Sequence, residues 1–284
     1  MLRIVTDGGA DMPNGWEKAF GIDLIPLYVR FGEKSYLQGV DINNRSFYEL
    51  VQQTRIIPKT SLPSPAQVVE FYKKLAQKGD EILSIHIGSK LSGTFSVVQV
   101  AAQELKTDFD IITIDSGAGS AALGFMCRDA RLMHQAGVSL EKIHSRLAEF
   151  HKKVVVVFTL DTLEYAYLNG RVSALQTALS SMLRIKPIIV LKDGLLSMVE
   201  KARTRPRSID RILDIVKEKI GLQEVNMAVV HAKDLMTAEM LFEKAKKMFN
   251  CKEIVITDLS FPVAANLGPG AVGIVAYPVN EETD

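Results

Sequence analysis

Five segments of this 284-residue chain carry the hydroxyls, glycines and acids from which a site could be built. They are Thr6-Asp7-Gly8-Gly9, Thr60-Ser61, Gly88 to Thr94, Asp115 to Ser120, and Leu267-Gly268-Pro269-Gly270. Ser92-Gly93-Thr94 is the most informative. It opens a helix soon after a strand, where backbone N–H groups lack intrahelical partners and the helix dipole is positive. Gly93 lets a ligand approach the backbone, and such an arrangement binds an anion. Ser92 also suits an ordinary N-cap. The two roles are compatible, because a cap position is an anion position. Asp7 and Asp11 are candidates for an acid pair, but loop and capping duty is the stronger reading.

Other chemistries find less support. Gly117-x-Gly119-x-x-Ala122 follows a strand and opens a helix, as a dinucleotide-binding loop does. No second strand ends in an acid about 20 residues later, where that fold holds the ribose. A nicotinamide-dependent oxidoreductase using Gly117 to Ala122 stays open as an alternative, as does a hydrolase whose serine lies outside known motifs. The chain has no Gly-x-Ser-x-Gly elbow and no Gly-x-x-x-x-Gly-Lys phosphate loop. His134, His144 and His151 sit in charged helical stretches, while His86 and His231 end strands without a second ligand at metal spacing. No metal site and no catalytic residue are therefore expected. The residues offer an anion cradle without an evident base, which favours binding over turnover. Lys201, Arg203, Arg205 and Arg207 alternate and would share one face of an extended segment, as a solvated face or a docking patch.

The elements that must position these loops alternate between strand and helix. Strands are expected at Leu2 to Thr6, Ile22 to Phe31, Glu81 to Ile87, Phe109 to Asp115, Val154 to Phe158, Val225 to His231, Ile254 to Leu259 and Val272 to Pro278. Helices are expected at Asn44 to Thr54, from Ser64-Pro65-Ala66-Gln67 (a capping box with proline at the first helical position), from Thr94, up to Gly137, and through Leu140 to Phe150. Further helices are expected at Leu163 to Leu168, Val172 to Leu183, Pro206 to Gly221 and Leu235 to Phe249. Ile185 to Leu191, Asp193-Gly194 and Leu195 to Val199 read as a hairpin. Such alternation argues an α/β fold with largely parallel sheets, the hairpin making the second sheet mixed. Two domains are expected: residues 1–152, Rossmann-like and carrying the site loops, and residues 153–284, with the mixed sheet.

Net charge is +1, and 47% of residues are apolar. That excludes disorder as the main state and gives no general coat for nucleic acid. Two distant cysteines, Cys127 and Cys251, make no disulfide scaffold. The start of the chain reads as a strand rather than a signal peptide, and no apolar run is long enough to span a bilayer. A cytoplasmic protein without stable membrane insertion is expected.

Taken in order, Thr60-Ser61-Leu62-Pro63-Ser64, Ser89-Lys90-Leu91-Ser92-Gly93-Thr94, Asp115-Ser116, Asn169-Gly170-Arg171-Val172-Ser173, Lys186-Pro187-Ile188, Lys201-Ala202-Arg203-Thr204 and Gly268-Pro269-Gly270-Ala271 resemble the DegV family. The resemblance covers nearly the whole chain. It implies two α/β domains and a long-chain fatty acid such as palmitate, with no other cofactor. The acyl chain would lie in an apolar tunnel. The carboxylate would be held by Thr60 and Ser92, with Ser61, Gly93 and Thr94 nearby. It further implies a protein without turnover of its own, which presents the acid to a separate fatty acid kinase for conversion to an acyl phosphate in phospholipid synthesis. Arg171 and Arg203 would lie on the docking side. Three positions depart from the family pattern: Gly8 stands in a serine place, Asn169 where glycine is common, and Asn266 where a histidine often precedes Gly-Pro-Gly.

Overall fold

In a computed structural model, which describes residues 1–173 and 185–279, the first apolar run is strand β1 (Leu2–Asp7), halted at Gly8-Gly9. A short helix α1 (Trp16–Ala19) leads to β2 (Ile22–Ile25). The extended run expected over Ile22 to Phe31 is broken after β2, at Pro26, which has no N–H for a ladder. Its second part, β3 (Tyr28–Phe31), pairs antiparallel with β4 (Lys34–Leu37) and β5 (Lys59–Ser61) in a separate three-stranded sheet. Helix α2 (Asn44–Thr54) lies between those last two strands and is closed at its start by a reciprocal bond pair between Asn43 and Ser46.

Helix α3 (Pro65–Leu75) begins as its residues dictate. Ser64 Oγ accepts the Gln67 N–H at 3.3 Å, and Gln67 Oε1 accepts the Ser64 N–H at 2.8 Å. Then follow β6 (Glu81–His86), α4 (Thr94–Glu104), β7 (Asp110–Asp115), α5 (Ala121–Gln135) and α6 (Leu140–Lys153). The strands form a wholly parallel sheet in the order β2-β1-β6-β7. Helices α3 and α4 cover one face, where Val5, Ile25, Val68, Tyr72, Val98 and Leu105 form the core. Helix α5 packs on β1 and β6, with its Cys127 thiol buried on the side of the sheet opposite Val5. Burial pushes that thiol up to about 12, so it stays protonated.

The second half holds β8 (Val155–Thr159), α7 (Glu164–Asn169), β9 (Val172–Ser173), β10 (Lys186–Lys192), β11 (Leu195–Ala202), α8 (Arg205–Ile220), β12 (Val225–His231), α9 (Leu235–Met248), β13 (Cys251–Asp258), α10 (Phe261–Leu267) and β14 (Val272–Pro278). The helix expected over Val172 to Leu183 starts instead as a strand, β9, parallel to β11, as β-branched Val172 favours. Residues 174–184 lie outside the described residues. The β10–β11 hairpin turns at Asp193-Gly194, both at positive φ (52° and 76°), the conformation a two-residue turn needs. Its sheet runs β13-β12-β14-β8-β10-β11-β9. Among the described residues only β12–β13 and β11–β9 are parallel, so the mixed character exceeds the largely parallel pairing that alternation suggested. Its core joins Val157, Ile188, Ile212, Val216, Val229 and Ile274.

The alternating basic run does not form one face. Lys201 belongs to β11, Thr204 caps α8 through the Arg207 N–H, and Arg205 and Arg207 lie in the first helical turns. Proline at position 206 favours helix entry there and ends the extended geometry.

The chain divides into two compact units: Met1–His151 with Ser260–Pro262, and Lys152–Leu259 with Val263–Asp284. The late segment is built into the first unit. Ser260 Oγ donates to the Gly8 carbonyl (2.8 Å), the Ser260 N–H donates to Asp11 Oδ1 (2.6 Å), and Phe261 stacks on Phe47 with centroids 5.5 Å apart. No helix among the described residues is long and apolar enough to cross a membrane.

Two outcomes follow from this packing. A Cβ on Gly124 of α5 would run into the Asp11 carbonyl oxygen and lie 2.8 Å from Met12 Cγ. Gly124→Ala is therefore expected to destabilise by about 1–3 kcal/mol, read as a lower urea midpoint. Asp234 caps α9 through the Thr237 N–H (3.3 Å) and pairs with Arg205 (2.8 Å). Burial alone would raise its pKa, but the bonds to Thr237 and Arg205 outweigh that and hold it below 3.8. Its stabilisation is thus complete above the ordinary value and is lost as pH falls through the lowered one. Urea unfolding at stepped acidic pH should show Asp234→Asn less stable near neutrality, with a shallower acid-side loss than the parent.

Candidate functional site in the first unit

In the order β2-β1-β6-β7 the chain steps outward in opposite directions from β1 and β6, so the crevice between their carboxyl ends is the topological switch point. The loops there are Gly8-Gly9 and Ile87 to Gly93. Asp7 joins them. Its Oδ1 accepts the Gly9 N–H at 2.8 Å, and its Oδ2 accepts the Ile87 N–H at 3.0 Å. The loop after β6 is pinned twice more. The Gly88 N–H donates to the Ala118 carbonyl (2.7 Å), and the Ser89 N–H donates to Asp115 (3.1 Å). Asp11 accepts from Ser120 Oγ and from the Ser260 N–H. Asp7 and Asp11 therefore serve the loops, as the stronger sequence reading held. Gly8 leaves room that the Gln38 amide fills.

Helix α4 follows the loop after β6, whereas α3 follows β5. Their first turns differ. That of α3 is closed by Ser64, whereas α4 begins at Gly93 with no side-chain cap. The expected N-cap role of Ser92 is thus shifted by one residue: Gly93 holds the cap position in helical conformation (φ −74°), and Ser92 precedes it. Ser92 Oγ still accepts the Thr94 N–H at 3.3 Å and lies 2.9 Å from Thr94 Oγ1. Thr94 is fully buried, Ser92 half-buried and Gly93 exposed.

Thr60 and Ser61 end β5, opposite Val29 and Tyr28 of β3, both half-buried. The next residue, Leu62, closes over Gly93: its Cδ1 lies 2.8 Å from where a Cβ would stand. The Thr60-Ser61 strand end and the start of α4 are in this way brought to one place. Leu62 was not singled out by the sequence, and no spacing rule marks a contact between positions 62 and 93.

The loop after β7 is filled from within its own unit. Gly117 (φ 59°) lies against His151, with 2.9 Å from a Cβ position to His151 Cβ, and Gly119 lies against Ile87. β7 is an edge strand, away from the switch point, so its loop lacks the setting of a dinucleotide site.

A serine–histidine–aspartate series does exist. His86 Nδ1 is 2.9 Å from Asp7 Oδ2, and its Nε2 is 2.7 Å from Ser84 Oγ, itself 2.6 Å from the Tyr72 hydroxyl. All four side chains are fully buried, and Tyr72 occupies the serine, so no substrate reaches it. Burial pushes the Tyr72 hydroxyl well above its ordinary pKa, and the Asp7 charge adds to that. The separation of 79 positions between His86 and Asp7 hides this pair from sequence reasoning.

An open cleft of about 890 Å³ lies at the opposite end of this unit, lined by Lys78, Asp80, Gln103, Lys106 and Asp110 among others. It lies away from these loops. Among the described residues, no group of three or more His, Cys, Asp or Glu side chains could hold a metal.

The remaining candidates belong to the second unit. Asn266 lies half-buried in α10. The carbonyl before it, of Ala265, accepts from Asn169 Nδ2 at 3.0 Å, so Asn169 uses a side chain that glycine would lack. The Gly268-Pro269-Gly270 turn, with both glycines at φ 82°, sits on Tyr165 and Asp161. Arg205 donates to the Gly270 carbonyl at 2.6 Å. Arg171 is exposed, and its Nη1 donates to the Asn169 carbonyl (2.6 Å); Arg203 is exposed between β11 and α8.

Comparison with known proteins agrees with this architecture. Residues 1–279 match the family model described as "Uncharacterised protein, DegV family". Protein DegV of Bacillus subtilis (strain 168) is 32% identical over 276 residues, spanning 96% of this chain and 98% of that one. The solved structure of DegV from Bacillus subtilis, described as a fatty acid binding protein, superposes with a TM-score of 0.84 at 31% identity, covering 98% and 99% of the two chains. A DegV family protein from Thermus thermophilus, solved for its fatty acid binding, superposes with a TM-score of 0.89 at 27% identity over 98% and 99%. The two-part α/β architecture is shared with these structures, and the chain belongs to the DegV family.

Proposed function

We propose that this protein binds a long-chain fatty acid, the tail in an apolar passage and the carboxylate between Thr60 and Ser92, with Ser61, Gly93 and Thr94 as neighbouring groups. The observation that carries this reading is the seat of Leu62 on Gly93, which draws the hydroxyl-bearing end of β5 to the uncapped start of α4. Relatives described as fatty acid binding proteins support it. A palmitate-sized tail removes about 14 methylenes from water, a gross gain of about 11 kcal/mol before ordering costs. The tail thus supplies affinity, and the head group supplies orientation. A carboxylate buried without partners is costly. Hydroxyls and helix N–H groups offset that without a salt bridge.

In this reading the protein has no turnover of its own. It presents the acid to a separate fatty acid kinase, which phosphorylates the carboxylate to an acyl phosphate for phospholipid synthesis, with Arg171 and Arg203 on the docking side. A cradle of uncharged donors leaves the carboxylate more nucleophilic than an arginine fork would.

Organic extraction and native mass spectrometry of the purified protein should yield a long-chain acid bound one to one. Combined Thr60→Ala and Ser92→Ala replacement should weaken retention at least about tenfold, since two bonds to a charged group are lost. Undiminished retention, or a bound nicotinamide nucleotide, overturns the reading. With a fatty acid kinase and ATP supplied, hydroxylamine trapping should report acyl phosphate, and Arg171→Ala with Arg203→Ala should slow its formation.

A further inference from the structure

We propose that Asp7 is the positioning residue of the carboxylate cradle, and that it acts as an ionised group at the receiving end of a one-way chain of hydrogen bonds from Tyr72 through Ser84 and His86. The inference rests on the function proposed above. Its geometric basis is the sealed series Tyr72–Ser84–His86–Asp7, every step between 2.6 and 2.9 Å and every member fully buried.

The direction of the chain follows from counting donors. Both Asp7 oxygens accept backbone N–H groups, from Gly9 and from Ile87. A carboxylate suits that position, and His86 Nδ1 then donates to it. The other ring nitrogen, Nε2, carries no proton and accepts from Ser84 Oγ–H. Ser84 Oγ in turn accepts from the Tyr72 hydroxyl, which burial keeps protonated. Every hydrogen then has an acceptor. With one more proton on the His86–Asp7 pair, Nε2–H must donate to Ser84 and Ser84 to Tyr72. The Tyr72 hydroxyl hydrogen then has no acceptor among the described residues, in the interior of the core. The single satisfied arrangement is a neutral His86 protonated on Nδ1, facing an ionised Asp7.

This arrangement ties the site to the sheet. Asp7 holds the first residue beyond β6, Ile87, and so fixes where the segment to Ser92, Gly93 and Thr94 departs. Asparagine at position 7 offers one acceptor oxygen and one donor nitrogen, and cannot accept at both loops. Loss of the charge should therefore disturb recognition of the head group and spare the tail.

Two measurements test this with the full chain. In the first, ¹⁵N spectra of the imidazoles should show His86 near neutral pH with Nδ1 protonated and Nε2 unprotonated. The opposite tautomer, or a doubly protonated ring, overturns the proposal. In the second, displacement titrations compare palmitate with hexadecanol, which has the same tail and no carboxylate. Asp7→Asn should reduce the preference for the acid about tenfold. Ile82→Ala, a core cavity at the far end of β6, should lower the melting temperature yet change the preference by less than about twofold. An unchanged preference in Asp7→Asn, or an equal loss in Ile82→Ala, overturns the positioning role. Absence of any preference in the parent protein would count against the carboxylate cradle itself, and the tautomer would still decide the direction of the chain. Failure of Asp7→Asn to fold leaves that spectrum as the deciding result.

Discussion

A carboxylate shut inside the first unit is the constraint around which the loops at the switch point are arranged. Asp7 has no solvent, so its oxygens must be satisfied by groups that arrive from elsewhere in the chain. They arrive from Gly9, two residues on, and from Ile87 and His86, about 80 residues on. The loop after β1 and the loop after β6 are thus each other's condition: neither can shift without leaving a buried acceptor unpaired. The start of α4 inherits its place from this tie. So does the contact of Leu62 with Gly93, which is set by where that helix begins.

The second unit holds its glycine-rich turn by different means. Among the described residues no buried anion organises Gly268-Pro269-Gly270. Instead the turn lies on the Tyr165 ring and on Asp161, where glycine alone leaves enough room, and Arg205 takes its last carbonyl. Asn169 adds an amide bond to the Ala265 carbonyl. Steric fit and neutral or cationic donors replace the charge-centred arrangement of the first unit. Asn169 thus reaches the carbonyl of the peptide whose nitrogen belongs to Asn266.

Signals that act within a few residues were legible in the sequence. Ser64 with Gln67, Pro206 with Gly221, and Asp193-Gly194 each named an element boundary because the physics is local. The alternation of strands and helices gave the class of fold. What escaped was non-local or weakly patterned. β4 and β5 are short and polar, with no period to reveal them, so the three-stranded sheet was missed, and α10 has only seven residues. The Ser92 cap was misplaced by one position because Gly93 adopts the helical conformation without any side chain to announce it. The basic run misled because alternate spacing assumes an extended backbone, and Thr204 with Pro206 starts a helix there. Thr60 and Ser61 became candidates for the carboxylate through family resemblance, and Ser92, Gly93 and Thr94 also through the hydroxyls and glycine at a helix start. Leu62 and the His86–Asp7 tie needed coordinates, since their partners lie 31 and 79 positions apart.

Ser260, Phe261 and Pro262 complete a body whose other residues all lie before position 152. During synthesis the ribosome delivers that body's first 151 residues long before these three. Until they emerge, the Gly8 carbonyl lacks its serine donor, Asp11 lacks one of its amides, and the Phe47 ring lacks its stacking neighbour. A nascent chain can assemble the parallel sheet early, yet its upper edge closes only when Ser260 to Pro262 have been made. A cut at residue 152, which the order of elements along the chain recommends, would sever the last strut of the very loops that the earlier half was meant to carry.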